Sequence, residues 1–181
     1  MNLSVVVPYF RASDTIERQL QALSEQTWSE PWEVIISDNE SSDELEDIAR
    51  RYETSIKVLH IVDASDRRGE AHARNAGVEA AKGDSIAFCD ADDEVGRGWL
   101  MAMGRALLTN EFAACRLEVK GLNAPWVARV FAQHPQYLGL QKIWFPPYLH
   151  HAGGGMLGAS VRPRSVCLGR LFAVERESGK L

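Results

Sequence analysis

The run Leu3-Ser4-Val5-Val6-Val7-Pro8 constrains the fold more than any other stretch of the chain. It is short and almost continuous in β-branched residues, the pattern of a strand buried on both faces, and the proline is expected to end it at Val7. A strand of that kind needs a layer on each side, and the following residues supply the layers. Asp14 with Glu17 three residues on resembles a capping box, and Ile16, Leu20 and Leu23 keep the spacing of one helix face. Trp32 to Ile36 predicts a second strand, and Ser41 with Glu44 opens a second helix carrying Leu45, Ile48, Ala49 and Tyr52 on one side. Ile56 to Val62 alternates into a third strand, Glu70 to Ala81 is a helix that Gly83 stops, and Ser85 to Cys89 is a fourth strand. This alternation predicts an α/β fold, a mostly parallel sheet flanked by helices. Further on, Trp99 to Leu108 reads as a helix and Ala113 to Val119 as a strand. The aromatics, prolines and glycines of Trp144 to Gly155 suit a loop shaped around something.

Composition narrows the function classes. The chain has 181 residues, 45% of them hydrophobic, enough for a core without disulfide or structural metal. With 20 basic and 25 acidic side chains the net charge is −5, so duplex nucleic acid is excluded as a main partner, and any bound phosphate must be small or metal-neutralised. Cys89, Cys115 and Cys167 have no CxxC spacing and fit reduced, cytosolic thiols. No charged leader precedes Leu3, and no run reaches the roughly 18 apolar residues of a membrane span. The expectation is a cytoplasmic chain whose membrane attachment, if any, comes from a partner or a short amphipathic face.

In open α/β sheets the ligand lies beyond the carboxyl ends of the strands. The residues to inspect there are Pro8, Asp38, Asp63 to Arg68, and Asp90 to Asp93. Cys89-Asp90-Ala91-Asp92-Asp93-Glu94 delivers three aspartates within four residues to that edge. Such crowding is tolerable if the carboxylates are solvated, or if Mg²⁺ or Mn²⁺ collects them while keeping sites for substrate phosphates. The alternative is an acidic turn capping the helix before Trp99. Asp38 and Asn39 precede a helix and are placed to hydrogen-bond a ligand, although Ser41 to Asp47 equally suits a helix's first turn. In Gly69-Glu70-Ala71-His72-Ala73-Arg74-Asn75-Ala76-Gly77 the small residues let a helix approach the sheet and Arg74 can reach an anion; the plain alternative is a packed alanine helix with a solvated arginine. His72, the pair His150-His151, and Trp126, Trp144, Phe145 and Tyr148 are weaker candidates, better explained by packing or solvent. No GxGxxG follows the first strand, so the run Gly153 to Gly155 is not a dinucleotide fingerprint.

VVVPYF, SDNESSD, GEAHARNAG and AFCDADD, in that order, together resemble the family 2 glycosyltransferases of GT-A fold. The resemblance spans Leu3 to Leu100 and continues more loosely through Gly155 to Ala159, which is similar to the family's acceptor-side segment. It implies a single GT-A domain over 1–181, with a nucleotide-sugar-binding half at 1–100 and a short or truncated acceptor-side half at 101–181. By the same resemblance Val7, Pro8 and Tyr9 line the nucleotide pocket, and Asp38 and Asn39 face the base, where the family commonly has aspartate at the second position. Arg74 stands near the nucleotide, Asp90 near the ribose with Ala91 after it, and Asp92 is the metal-binding carboxylate of the DxD motif, holding Mn²⁺ or Mg²⁺.

The implied reaction transfers a sugar from a nucleoside-diphosphate donor, a UDP-sugar being favoured, to a glycan or lipid-linked acceptor hydroxyl with inversion. It belongs to polysaccharide or glycoconjugate synthesis, with the enzyme cytoplasmic or peripheral at the cytoplasmic membrane face and expected to self-associate as a homo-oligomer. The family's downstream Glu-Asp pair is missing, as is QxxRW, which leaves Glu175 and Glu177 as candidates for the general base. The alternative is a silent or incomplete nucleotide-sugar-binding module. A nucleotidyltransferase is disfavoured, since its glycine-rich N-terminal loop is absent.

Overall fold

The computed structural model describes residues 1–40, 44–110, 112–115, 125–126, 129 and 157–160. Strands β1 (Leu3–Tyr9), β2 (Trp32–Asp38), β3 (Leu59–Asp63), β4 (Ser85–Phe88), β5 (Phe112–Ala114) and β6 (Leu157–Ser160) form one sheet in the order β3-β2-β1-β4-β6-β5. The first four run parallel, and β6 lies antiparallel to β4. Helices α1 (Ser13–Ser24), α2 (Leu45–Arg50), α3 (Glu70–Ala80) and α4 (Trp99–Thr109) complete the alternation the sequence predicts. Compact units are formed by Met1–Ala113 with Leu157–Leu181, and by Ala114–Met156; in the second, Trp126 is exposed.

All of β1 is buried, as its β-branched run requires. Val6 sits with Ile35, Ile86 and Phe88 in a cluster that Val78 and Ala80 of α3 cover. A Cβ on Gly77 would fall 2.4 Å from Val6 Cγ1, so the small residues of α3 do let it settle on the sheet. In α1, Ile16, Leu20 and Leu23 are fully buried, each worth roughly 1.5–3 kcal/mol of apolar transfer.

Several local expectations are corrected. β1 does not stop at Val7 but runs through Pro8 to Tyr9. The Val6 carbonyl accepts from Cys89 N–H just past the end of β4, so Pro8, on that same side two residues on, lies where no ladder donor is needed. No capping box forms at Asp14. Ala12 is the N-cap, its carbonyl accepting from the N–H groups of Thr15 and Ile16, which leaves Asp14 in the first turn. The third strand begins at Leu59 rather than Ile56, because Ile56 is bonded back to the Tyr52 carbonyl in the turn after α2. At the second helix Glu44 is the N-cap without a side-chain bond, and residues 41–43 lie outside the described residues. The predicted strand from Ala113 covers only Phe112–Ala114 among the described residues.

Candidate functional site

At the carboxyl edge of the sheet lies a cavity of about 430 Å³. Pro8, Tyr9 and Phe10 from the end of β1 form one wall, Asn39 after β2 another, and Arg68 to Glu70 with Ala73 close the side toward α3. Asn39 is 3% exposed and holds that last wall in place. Its Nδ2 donates to the carbonyls of Ala64 (2.5 Å) and Arg67 (2.8 Å), and its Oδ1 accepts from Gly69 N–H (2.8 Å). A free amide would offer a ligand both donors and an acceptor. Both hydrogens are spent on the loop, and Oδ1 already accepts from Gly69 N–H, so what is left to serve a ligand is the second lone pair of Oδ1. An aspartate here would set a carboxylate against two carbonyls.

Phe10 meets both Arg11 and Arg68, with guanidinium carbons 5.2 and 5.0 Å from the ring centre. Arg68 also pairs with Glu40 at 3.0 Å. Arg11 (φ 48°) and Glu40 (φ 72°) adopt left-handed conformations uncommon outside glycine, each directly after a cavity-lining residue. Sequence reasoning missed Phe10 and gave Arg68 no role. The available signal was their position just beyond β1 and β3.

The acidic loop follows β4. Arg74, with a side chain 14% exposed, joins it to the cavity: Nη2 donates to Asp90 Oδ1 at 2.6 Å, and Nη1 pairs with Glu70. The plain alternative of a solvated arginine is thus excluded. Burial pushes the Asp90 carboxyl above its ordinary value, and the Arg74 guanidinium pulls it part of the way back. Asp93 is pushed up to about 6, first by burial and then by Asp90 and Asp92. Asp92 is exposed, and Ala91 packs inward at 6%. Among the described residues no three ligating side chains converge to hold a metal by themselves. A crowded, poorly compensated set of carboxylates, one of them exposed, fits a hard divalent cation held by one or two aspartates while a ligand's phosphates complete its shell.

Of the other expected site residues, Val7 is fully buried in β1, whereas Pro8 and Tyr9 line the cavity. Asp38 ends β2, its carbonyl accepting from Ala64 N–H. His72 Nε2 lies 2.7 Å from Asp66 Oδ1. His150, His151, Trp144, Phe145, Tyr148, Glu175 and Glu177 lie outside the described residues.

The model of the family described as "Glycosyl transferase family 2" matches residues 4–162. The chain is 35% identical over 130 residues to the "Uncharacterized glycosyltransferase YibD" of Escherichia coli K12, covering 70% of this chain and 35% of that protein. It spans about a third of the length of the curated relatives it matches. Among solved structures it is similar to the mannosyltransferase PcManGT of Pyrobaculum calidifontis in complex with GDP-Man and Mn²⁺, with TM-score 0.60, 22% identity, and 87% of this chain and 44% of that one covered. It is also similar to S. aureus TarS 1-349 in complex with UDP-GlcNAc, with TM-score 0.56, 23% identity, and coverage of 69% and 37%. At such identities the likeness concerns the fold, and that fold is the GT-A arrangement expected from the sequence.

Proposed function

Because this chain belongs to glycosyl transferase family 2, we propose that it forms the donor half of an inverting, metal-dependent transferase acting on a nucleoside-diphosphate sugar. The observation that carries this reading is the joining of two features at one sheet edge: Arg74 links the cavity, through Glu70, to the acidic loop, through Asp90. The cavity seats the nucleoside between the Tyr9 and Phe10 wall and Asn39. With its hydrogens spent, Asn39 Oδ1 suits an imide N–H such as uracil's, which favours a UDP-sugar. Asp92 holds Mn²⁺ or Mg²⁺, with Asp90 fixed beside it by Arg74. A cation bound there would supply the positive charge that offsets the departing diphosphate.

In the transfer the acceptor oxygen bonds to the anomeric carbon as the bond from that carbon to the diphosphate breaks. The hydroxyl proton passes to a carboxylate base, for which Glu175 and Glu177 are the candidates. The acceptor is a glycan or a lipid-linked glycan in polysaccharide or glycoconjugate synthesis, met at the cytoplasmic face of a membrane, and the chain self-associates. Among the described residues no helix is long and apolar enough to cross a membrane. A second reading is a donor-binding module without transfer, favoured by one observation: within residues 160–181 no Glu-Asp pair follows the Gly155 to Ala159 segment.

Calorimetric titration with UDP, GDP and dTDP, with and without Mn²⁺, tests the donor site. Metal-dependent binding of UDP that Asp92→Ala abolishes is the expected result; no binding of any of the three would reject the site. Transfer of sugar by the wild type rejects the module reading. Undiminished turnover in a Glu175→Ala, Glu177→Ala double variant would remove both glutamates as base.

A further inference from the structure

α1 carries a residue its own pattern does not explain. Gln19 is fully buried on the same face as Ile16, Leu20 and Leu23, where a leucine would fill the space without desolvating an amide. Both ends of that amide are satisfied by one loop. Nε2 donates to the Asp90 carbonyl at 3.1 Å, and Oε1 accepts from Val95 N–H at 2.9 Å. One side chain therefore ties together the start and end of the segment that carries Asp90, Asp92 and Asp93. Gln26, just past the C-terminus of α1 and 8% exposed, repeats the arrangement one step further along. Its Nε2 donates to the Gly96 carbonyl (3.1 Å) and its Oε1 accepts from Leu100 N–H (3.1 Å), fixing the loop's exit into α4.

We infer that Gln19, supported by Gln26, is a positioning residue that holds the acidic loop in the conformation that receives a divalent cation and the donor's diphosphate. Three like charges on a short loop drive it to open, since separation lowers their repulsion. The loop's own backbone opposes this with the bond from Asp93 N–H to the Asp90 carbonyl at 3.2 Å, the same oxygen that Gln19 engages. Clamping residues 90 and 95 keeps the carboxylates assembled before any ligand arrives, so binding does not have to order them. Hydrogen-bonding partners one layer behind a metal's ligands typically change metal affinity by about 10–100-fold when removed. This inference rests on the donor-site reading above, and its test separates the two.

Three variants are compared with the wild type. Gln19→Leu keeps the volume and loses both bonds. Gln19→Glu keeps an acceptor for Val95 N–H but has no donor for the Asp90 carbonyl. Leu23→Ala, one turn further along the same face, damages core packing and serves as the control. Amide hydrogen exchange reports the loop, titration with Mn²⁺ in the presence of UDP reports the site, and the melting temperature reports global stability. The expected result is faster exchange at Asp93 and Val95 in Gln19→Leu, Mn²⁺ affinity lowered by about 10–100-fold, and a smaller loss in Gln19→Glu. Leu23→Ala should melt at least as early yet bind within about twofold of the wild type. Unchanged exchange at Val95 in Gln19→Leu, or an equal loss of affinity in Leu23→Ala, overturns the inference. Should Gln19→Leu not fold, Gln19→Glu carries the same two readouts. A wild type that binds neither Mn²⁺ nor UDP counts against the donor site, while the exchange measurement still decides whether Gln19 holds the loop.

Discussion

Carboxylates stand at both edges of the sheet, and they keep different company. At the amino edge Glu33, 6% exposed, accepts at Oε1 from the Ser4 hydroxyl (2.6 Å) and the Lys82 N–H (2.7 Å). His60 Nε2 stands 3.7 Å from Oε2, and Ser4 Oγ in turn accepts from Gly83 N–H at 2.8 Å. That turn is so close that a Cβ on Gly83 would lie 2.8 Å from the Ser4 backbone nitrogen. At the carboxyl edge Asp90 draws on the guanidinium of Arg74, which Glu70 also claims, and Asp93 is held up at about 6 beside two other aspartates. The amino edge completes its hydrogen bonds internally, as a structural network must. The carboxyl edge keeps a deficit of positive charge, and such a deficit is what a cation-binding site reserves for its ligand.

The largest effect should come from the completed network. Glu33→Ala removes the acceptor of the buried Ser4 hydroxyl and the part-buried Lys82 N–H and should cost roughly 3 kcal/mol by urea unfolding. Asp92→Ala, at the other edge, should leave the unfolding midpoint almost unchanged. Equal losses in the two variants would erase the distinction between the edges. Next in size is Asn39→Asp, which turns two donated hydrogen bonds into repulsive contacts with the Ala64 and Arg67 carbonyls. It should cost about 2 kcal/mol and widen the cavity wall, read as faster amide exchange at Gly69. Unaltered exchange there would show that the loop does not depend on the amide.

The same contrast explains how much was legible in the sequence. The runs at Val5 to Val7 and Val34 to Ile36, the stripe Ile16, Leu20 and Leu23, and the crowded aspartates are local patterns, so strands, helices and the acidic loop could be placed. What escaped depends on partners far along the chain. Gln19 reaches a carbonyl 71 residues away, and Ser4 meets Glu33 across 29. Asp14 and Glu17 have the spacing of a capping box, yet the helix is capped two residues earlier, by Ala12, so spacing alone misassigned the cap. Pro8 looked like a stop because its flanking strand, β4, and where that strand ends could not be known. Arg74 had the right chemistry in the sequence, but its choice between solvent and Asp90 was settled by the packing of α3 on Val6 through Gly77.

A smaller effect, of opposite sign, belongs to the carboxyl edge. With a chelator present, Asp93→Asn should stabilise the protein at pH 7 by on the order of 1 kcal/mol. The sign follows from the raised folded value, about 6 against the ordinary 3.8. Between those values the folded state holds more protons than the unfolded one, so stability falls as pH rises from 3.8 to about 6 and stays low above it. The gain should therefore disappear below pH 4, where both states are protonated. A loss of stability in Asp93→Asn at pH 7 would mean that the ionised carboxylate has favourable partners, making this edge as complete as the other.

The smallest effect lies at the end of β3, where Asp63 Oδ1 accepts from Ser65 N–H at 2.8 Å. Hydrogen bonds from the Ser65 side chain and backbone hold this exposed carboxyl below its ordinary value. A lowered folded value means that the turn gains stability from the ionised form above the ordinary carboxylate range and loses it as pH falls through the folded value. Ser65→Ala removes the hydroxyl donor and keeps the backbone one, so an NMR titration of Asp63 should move partway toward the ordinary value, with little change in unfolding. Asp63 is thus a carboxylate at the functional edge that behaves like Glu33, satisfied by its own turn rather than waiting for a cation. If Ser65→Ala left its titration unmoved, local hydrogen bonding would not be what separates it from the aspartates after β4, and distance from Asp90 and Asp92 would have to carry the difference.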